Sequence, residues 1–341
     1  MSGVLLLTGL VPTIGHKRLI QFSHSFLKGQ PLHVILSSRS KEPVPGKMRV
    51  DSLKTEFPQK NISIHHHFDN DAPQNPRHEN DEWFWEYWRD TVEKFAGKTK
   101  YFFASEKYGI DMAKVLKNTF VPCDIARFTY NVKGTDVRNS IIPRFDDVLP
   151  SFKKNLITKV TFFGQESVGK STLTSLMQTS SLDGTIVPEW AREYLETIGP
   201  ELSIKKLEMI VDGQYAAQQS IYDMCTTPYV FQDTDLLSTI GYYRIYGKTC
   251  PEKLLKHFYE TKSDVYFLLR DNIPFVEDQL RYGGKVREST LDFWINILKE
   301  FNCNYHIVES ETLSGRLDEV ENYLYNYERP FLKSIREFER E

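Results

Sequence analysis

The run Gly164-Gln-Glu-Ser-Val-Gly169-Lys170-Ser171 has the spacing G-x-x-x-x-G-K-[ST]. Its glycines let the backbone curl so that successive N–H groups face a phosphate. A helix starting after them adds partial positive charge. Lys170 can reach β- and γ-phosphates, and the Ser171 hydroxyl can ligate magnesium. Gly164, Glu166, Ser167, Val168, Gly169 and Thr172 complete the expected ATP-binding run. Such a loop needs an acid for the metal. Asp233 closes the apolar run Tyr229-Val-Phe-Gln232 and is the first choice, directly or through water. Asp235 is the alternative, or else the cap of the next helix.

Phosphoryl transfer to a small molecule also needs an acceptor site. Glu189-Trp-Ala-Arg192-Glu193 follows a short apolar run. Glu189 can accept a hydroxyl proton or bind ribose hydroxyls, and Arg192 can contact phosphate or acceptor. Both fit an ordinary surface helix equally well. Further on, Glu277-Asp278-Gln-Leu-Arg281, Gly283-Gly284 and Arg287 read as a lid. Its arginines, Arg281 and Arg287, would stabilise the charge of a transferring phosphoryl group.

The N-terminal half carries a different pattern, Gly9-Leu-Val-Pro-Thr13-Ile-Gly15-His16. It follows the first apolar run and opens a helical stretch. Helix N-terminal amides bind phosphate, Gly15 permits close approach, and His16 can donate to an α-phosphate as charge builds there. That is the geometry of adenylyl transfer. Later, Gly134-Thr135-Asp-Val-Arg138 offers amides, a hydroxyl and a guanidinium for β- and γ-phosphates. The stretch Asp81–Trp88 holds three of the five tryptophans. Trp85 and Trp88 could stack on a flat cationic ring or fill a helix's core face. His65, His66 and His67 would alternate faces on a strand, so they read as structural rather than metal-binding.

These residues need two scaffolds. At about 150 residues per domain, 341 residues suggest two. The expected elements alternate. Strands fall at Gly3–Thr8, Leu32–Leu36, Ile62–His67 and Tyr101–Ala104, with helices at His16–Leu27, Asp81–Phe95 and Met112–Lys117. The period is lost from Asp146 to Asn155, then restarts. Strands follow at Lys159–Phe163, Thr185–Val187, Tyr229–Gln232, Val265–Leu269 and Tyr305–Val308, with a long helix at Ile204–Met224. The fold class expected is α/β, with two doubly wound parallel-sheet domains. The first, a nucleotidylyltransferase-type Rossmann-like domain, spans residues 1–150; the second, of P-loop kinase type, spans 155–341.

Composition narrows the partners. Net charge is -3, from 43 Lys+Arg against 46 Asp+Glu, which argues against a nucleic-acid binder. No apolar run approaches the roughly 20 residues of a membrane span, and no signal peptide is legible. The four cysteines are widely spaced, so neither a disulfide framework nor a zinc site is expected. A cytoplasmic location and no membrane partner follow as expectations.

Together these segments resemble the NadR family of bifunctional NAD-biosynthetic proteins, over nearly the whole chain. The TxGH loop resembles the adenylyltransferase signature, and Gly134-Thr135-Asp-Val-Arg138 is similar to its (S/G)TxxR segment. Glu189-Trp-Ala-Arg192-Glu193, Asp233-Thr-Asp235 and Asp278-Gln-Leu-Arg281 resemble the family's E-Y-x-R-E, D-T-D and D-G-L-R runs. Trp85-Glu-Tyr-Trp88 resembles a W-x-x-W in the nicotinamide mononucleotide (NMN) site. The resemblance implies that the second domain phosphorylates nicotinamide riboside to NMN. The first would join NMN to AMP from ATP, giving NAD and pyrophosphate, with Mg2+ at both. Catalytic residues would be His16, Lys170, Asp233, Glu189 and Arg281, with Ser171 and Asp233 on the metal. Substrate would meet Trp85, Trp88, Glu189, Arg192, Asp235 and Phe275, the last standing where the kinase pocket has a tryptophan. Thr13 replaces the first histidine of H-x-G-H and removes a phosphate donor. A strand beginning at Gly3 leaves no room for the family's helix-turn-helix, so DNA-binding repression is not implied. A homo-oligomer is compatible with this assignment. Two alternatives stand beside it: another nucleotidylyltransferase fused to a nucleoside kinase, or a nucleotide sensor that binds without turnover.

Overall fold

The computed structural model describes residues 2–77, 81–199, 201, 203–273 and 289–338. Ten strands form two five-stranded sheets, every pairing parallel. The first sheet holds β1 (Gly3–Leu7), β2 (Leu32–Ser38), β3 (Ile62–Phe68), β4 (Tyr101–Ala104) and β5 (Thr119–Pro122) in the order β3-β2-β1-β4-β5. The second holds β6 (Thr158–Phe163), β7 (Gly184–Val187), β8 (Tyr229–Asp233), β9 (Val265–Leu269) and β10 (Tyr305–Val308) in the order β10-β9-β6-β8-β7. Both are doubly wound α/β sheets, as the alternating pattern predicts.

Each sheet is buried on both faces, which explains its unbroken apolar strands. Val4, Leu5, Val34, Ile35, Phe102 and Phe103 are buried in the first, and Val160, Phe162, Phe231, Phe267 and Leu268 in the second. In the second core, Phe163 meets Tyr266 and Trp294 edge-on at 5.7 and 5.1 Å between ring centroids.

In the first sheet the chain leaves β1 for β2 and β3, then returns to the other side of β1 for β4. The loops after β1 and β4 therefore diverge, and the crevice between them is where such sheets bind ligands. In the second sheet β6 lies between β8 and β9, so the loop after β6 opens beside both strand ends. The phosphate-binding patterns sit on these two loops.

Chain contacts divide the molecule between Asn155 and Leu156, and they return Pro330–Glu341 to the first unit. The expected second stretch, 155–341, is corrected at its C-terminal end. The terminal helix Pro330–Glu337 buries Leu332 and Ile335 and packs beside the helix Gly134–Asn139 of the first unit. An amphipathic terminal helix names no partner in its sequence. Two further elements were not expected: helix Gly46–Glu56, whose exposed positions are mostly charged, and edge strand β5, four residues ending in proline.

Candidate functional site

In the second unit, β6 runs into the Gly164–Gly169 loop, and the helix Lys170–Leu176 leaves it. Gly164 and Gly169 have φ of 127° and 87°, where a β-carbon is strained. A Cβ on Gly164 would also lie 3.1 Å from the Leu269 carbonyl. The Lys170 ammonium donates to the carbonyls of Gly164 and Gln165 at 3.1 and 2.5 Å, so the loop closes around it. Arg316 holds the loop from the far side and was not anticipated. It is 2% exposed and donates to the carbonyls of Val168 (2.5 Å), Arg270 (3.0 Å) and Ser310 (2.8 Å) and to Asn272 Oδ1 (2.5 Å). Only its place early in the helix Leu313–Asn326 marks it, and that is no sequence signal.

Asp233 ends β8 in register with Phe162 of β6, one residue short of the loop. It is buried, and its Oδ1 has no hydrogen-bond partner among the described residues. A buried carboxylate oxygen with nothing to bind costs free energy unless a cation or water meets it. That orphan oxygen and the Ser171 hydroxyl at the loop are the donor types Mg2+ takes. The residues present therefore fit that ion.

A cleft of about 500 Å³ opens over the loop. Glu166, Ser167, Val168, Gly169, Lys170, Ser171 and Thr172 line it on one side; Glu189 and Arg192 line it on another. Glu189 stands at the N-cap position of the helix Trp190–Ile198, and its carboxylate lies 3.9 Å from Arg192. Trp190 sets that helix against the long helix Ile204–Met224. Its amide donates to Gln214 Oε1 at 2.9 Å, and its ring covers Gly213, where a Cβ would lie 2.2 Å away. Gln214, Tyr242 and Tyr246 also line the cleft and were missed. The two tyrosines, four apart on one helix face, stack at 6.2 Å. They supply aromatic surface to the cleft. Phe275, Arg281 and Arg287 lie outside the described residues, as does the Asp278-Gln-Leu-Arg281 segment.

Asp235 is corrected. It lies outside the cleft lining, buried, with both oxygens engaged. Oδ1 caps the helix Leu236–Ile245 by accepting from the Leu237 amide at 2.9 Å, and Oδ2 accepts from the Tyr266 hydroxyl at 2.7 Å. Substrate contact is not available to it. Burial pushes its carboxyl up to about 6, against the pull of Tyr266 and the helix amides. A carboxyl raised in the folded state contributes stability below its unfolded value near 3.8, and this is lost as pH rises through about 6. Asp235→Asn keeps one oxygen to accept from the Leu237 amide and removes the charge, while its NH2 donates to the Tyr266 hydroxyl in place of the oxygen that accepted from it. The variant should gain on the order of 2 kcal/mol relative to wild type between about pH 4 and pH 7. Urea midpoints at the two pH values check this; an unchanged difference contradicts it.

In the first unit, Thr13 caps the helix Ile14–Leu27. Its backbone N–H donates to His16 Nδ1 at 2.9 Å, and its hydroxyl lies 2.9 Å from the same nitrogen. A backbone N–H can only donate, so Nδ1 accepts and the ring proton sits on Nε2. Thr13 is buried. It orients the histidine rather than reaching for phosphate. A Cβ on Gly9 would lie 2.7 Å from the His16 ring, so only glycine leaves the ring this seat. Gly9's carbonyl in turn accepts from Arg49 at 3.3 Å, and Arg49 is itself buried against Glu42.

A small cleft of about 90 Å³ lies at this sheet's crevice. Thr13, Gly15, His16 and Gly134 line it as expected. Arg18, Ser105, Glu106, Asp124, Arg127 and Tyr130 line it too and were missed, since they come from three separate stretches of chain. Thr135 and Arg138 stand outside the lining on the short helix Gly134–Asn139. Trp88 is corrected. It is 5% exposed, belongs to the core with Phe84, Val92 and Phe102, and donates its indole N–H to the Pro73 carbonyl at 3.1 Å. Trp85 packs half-buried against the same core, edge-on to Phe84 at 4.9 Å. Neither lines the cleft beside His16. The histidine row is structural: His65 bonds His33 (3.0 Å), His66 bonds Ser38 (2.7 Å) and His67 bonds Tyr87 (2.7 Å). Among the described residues no His, Cys, Asp or Glu group of three or more is placed to hold a metal ion, and no helix is long and apolar enough to cross a membrane.

The second unit is thus a P-loop nucleotide-binding unit, joined to a first α/β unit whose crevice holds an oriented histidine at a helix start. A family model described as an AAA domain matches residues 159–316, which covers the P-loop unit. The chain is similar to the trifunctional NAD biosynthesis/regulator protein NadR of Escherichia coli (strain K12), 25% identical over 332 residues, covering 89% of this chain and 77% of that protein. It is 24% identical over 333 residues to the protein of the same name from Salmonella typhimurium, with the same coverage. Two crystal structures of NadR proteins share its fold at 19% identity. One is a complex with NR, with TM-score 0.72 over 96% of this chain and 95% of that one. The other is a complex with NAD and AMP-PNP, with TM-score 0.70 over 100% and 97%. The likeness to NadR carried by the motifs therefore holds along nearly the whole chain.

Proposed function

We propose that the chain makes NAD in two steps, each drawing on ATP. The second unit phosphorylates nicotinamide riboside to NMN, and the first adenylylates NMN to NAD with release of pyrophosphate. One observation carries this: a closed phosphate loop and an oriented histidine, each on the loop after its sheet's first strand, in one chain that is similar to NadR over 89% of its length.

In the second unit the loop amides and Lys170 hold the β- and γ-phosphates, and Arg316 keeps the loop in shape. Glu189 takes the proton of the attacking riboside hydroxyl, while Arg192, 3.9 Å away, sets its position. Ser171 and Asp233 would hold Mg2+, which when bound neutralises charge on the transferring phosphoryl group. The apolar and tyrosine wall of the cleft excludes water from the γ-phosphate. In the first unit the NMN phosphate attacks the α-phosphate of ATP. His16 donates from Nε2 to the oxygens gathering charge there, and Thr13 keeps that tautomer in place.

The purified chain, incubated with ATP, magnesium and nicotinamide riboside, should yield NMN, ADP, NAD and pyrophosphate by mass. Binding of these molecules with no product formed would place the chain among sensors and end this proposal.

A further inference from the structure

Arg18 stands two residues beyond His16 and lines the same cleft. Every other charged group there is already engaged. Arg127 donates to Glu106 at 3.1 Å and to the Val132 carbonyl at 2.6 Å. Asp124 accepts the amides of Phe128, Thr129 and Tyr130. Arg18 makes no hydrogen bond or ion pair among the described residues, and its Nε is buried without a partner. Burial pushes up the Cys123 thiol, which also lines the cleft, and the Arg18 charge pulls against that rise. A guanidinium N–H held from water with no acceptor costs free energy unless a ligand supplies one. Meanwhile Thr13, whose hydroxyl faces His16 Nδ1, offers the cleft no donor.

We propose that Arg18 binds an anionic oxygen of the ATP seated in the first unit, supplying the donor that Thr13 does not. This rests on the adenylyl-transfer function above. The ligand chemistry is phosphate. A guanidinium matches it with two parallel N–H donors, and a charge-assisted bond of this kind is about twice as strong as a neutral one. The contact is made in the ground state as well as in the transition state, so its loss appears in KM more than in kcat.

The test uses the full chain with Arg18→Met, which keeps bulk without charge, and Arg18→Lys, which keeps charge. NAD formation from NMN is followed against ATP concentration. Arg18→Met should raise KM for ATP about tenfold with kcat within about threefold. Arg18→Lys should recover most of that loss. KM for ATP in riboside phosphorylation should be the same in all three proteins, which also reports that the chain is folded. KM for ATP within about twofold of wild type in Arg18→Met, or Arg18→Lys no better than Arg18→Met, overturns the inference alone. A wild-type chain that makes no NAD from NMN overturns the adenylyl-transfer function, and this inference with it.

Discussion

Lys170→Ala should abolish phosphorylation of nicotinamide riboside and leave adenylylation of NMN intact. Lys170 opens the helix after the phosphate loop, and its ammonium is the cation the loop closes around, 3.1 and 2.5 Å from the carbonyls of Gly164 and Gln165. Phosphoryl transfer involves little covalent work by the protein, so positioning and charge supply nearly all the rate. Removing the main cationic partner of the γ-phosphate should cost about a thousandfold or more in kcat/KM. Lysine at this position buries no core surface, so the second sheet should survive. The first unit keeps its own sheet and its own cleft. Rates measured separately with riboside and with NMN check both halves. Loss of both activities in a folded variant would mean one shared site.

The mirror result is expected for His16→Ala. NAD formation from NMN should fall about a hundredfold or more, equivalent to roughly 3 kcal/mol of lost transition-state stabilisation. Riboside phosphorylation should not change. The fall should be in kcat, since the Nε2 proton meets charge that exists only as the α-phosphate is attacked. Adenylylation near the wild-type rate in this variant sinks the assignment of His16.

The glycine turns of both loops were legible because their backbone demands are local. Glycines at fixed offsets after an apolar run demand positive φ or close approach, and Gly164, Gly169 and Gly9 bear this out. The ten strands were nearly all visible as short apolar runs, since sheets buried on both faces leave no alternation to decode. β5 escaped because an exposed edge of four residues has little apolar pattern to show. The clefts were only half legible. Arg18, Arg316 and Gln214 reach their places through packing between distant segments, and nothing in their own neighbourhoods announces it. The errors share a cause. Trp88 and Asp235 have side chains that suit a ligand as well as a core, and residue type cannot say which way a helix face turns. In both cases burial decided it: the indole N–H went to Pro73 and the carboxylate to Tyr266.

The central claim is that one chain carries two separable sites linked by a diffusing NMN. Mixing the two inactivated chains tests it most directly. Lys170→Ala alone should make no NAD from riboside, because no NMN forms. His16→Ala alone should accumulate NMN and stop there. The mixture, given ATP, magnesium and nicotinamide riboside, should make NAD, as NMN released by one chain is adenylylated by the other. A mixture that makes no NAD, while the Lys170→Ala chain still adenylylates added NMN and the His16→Ala chain still phosphorylates riboside, contradicts the account.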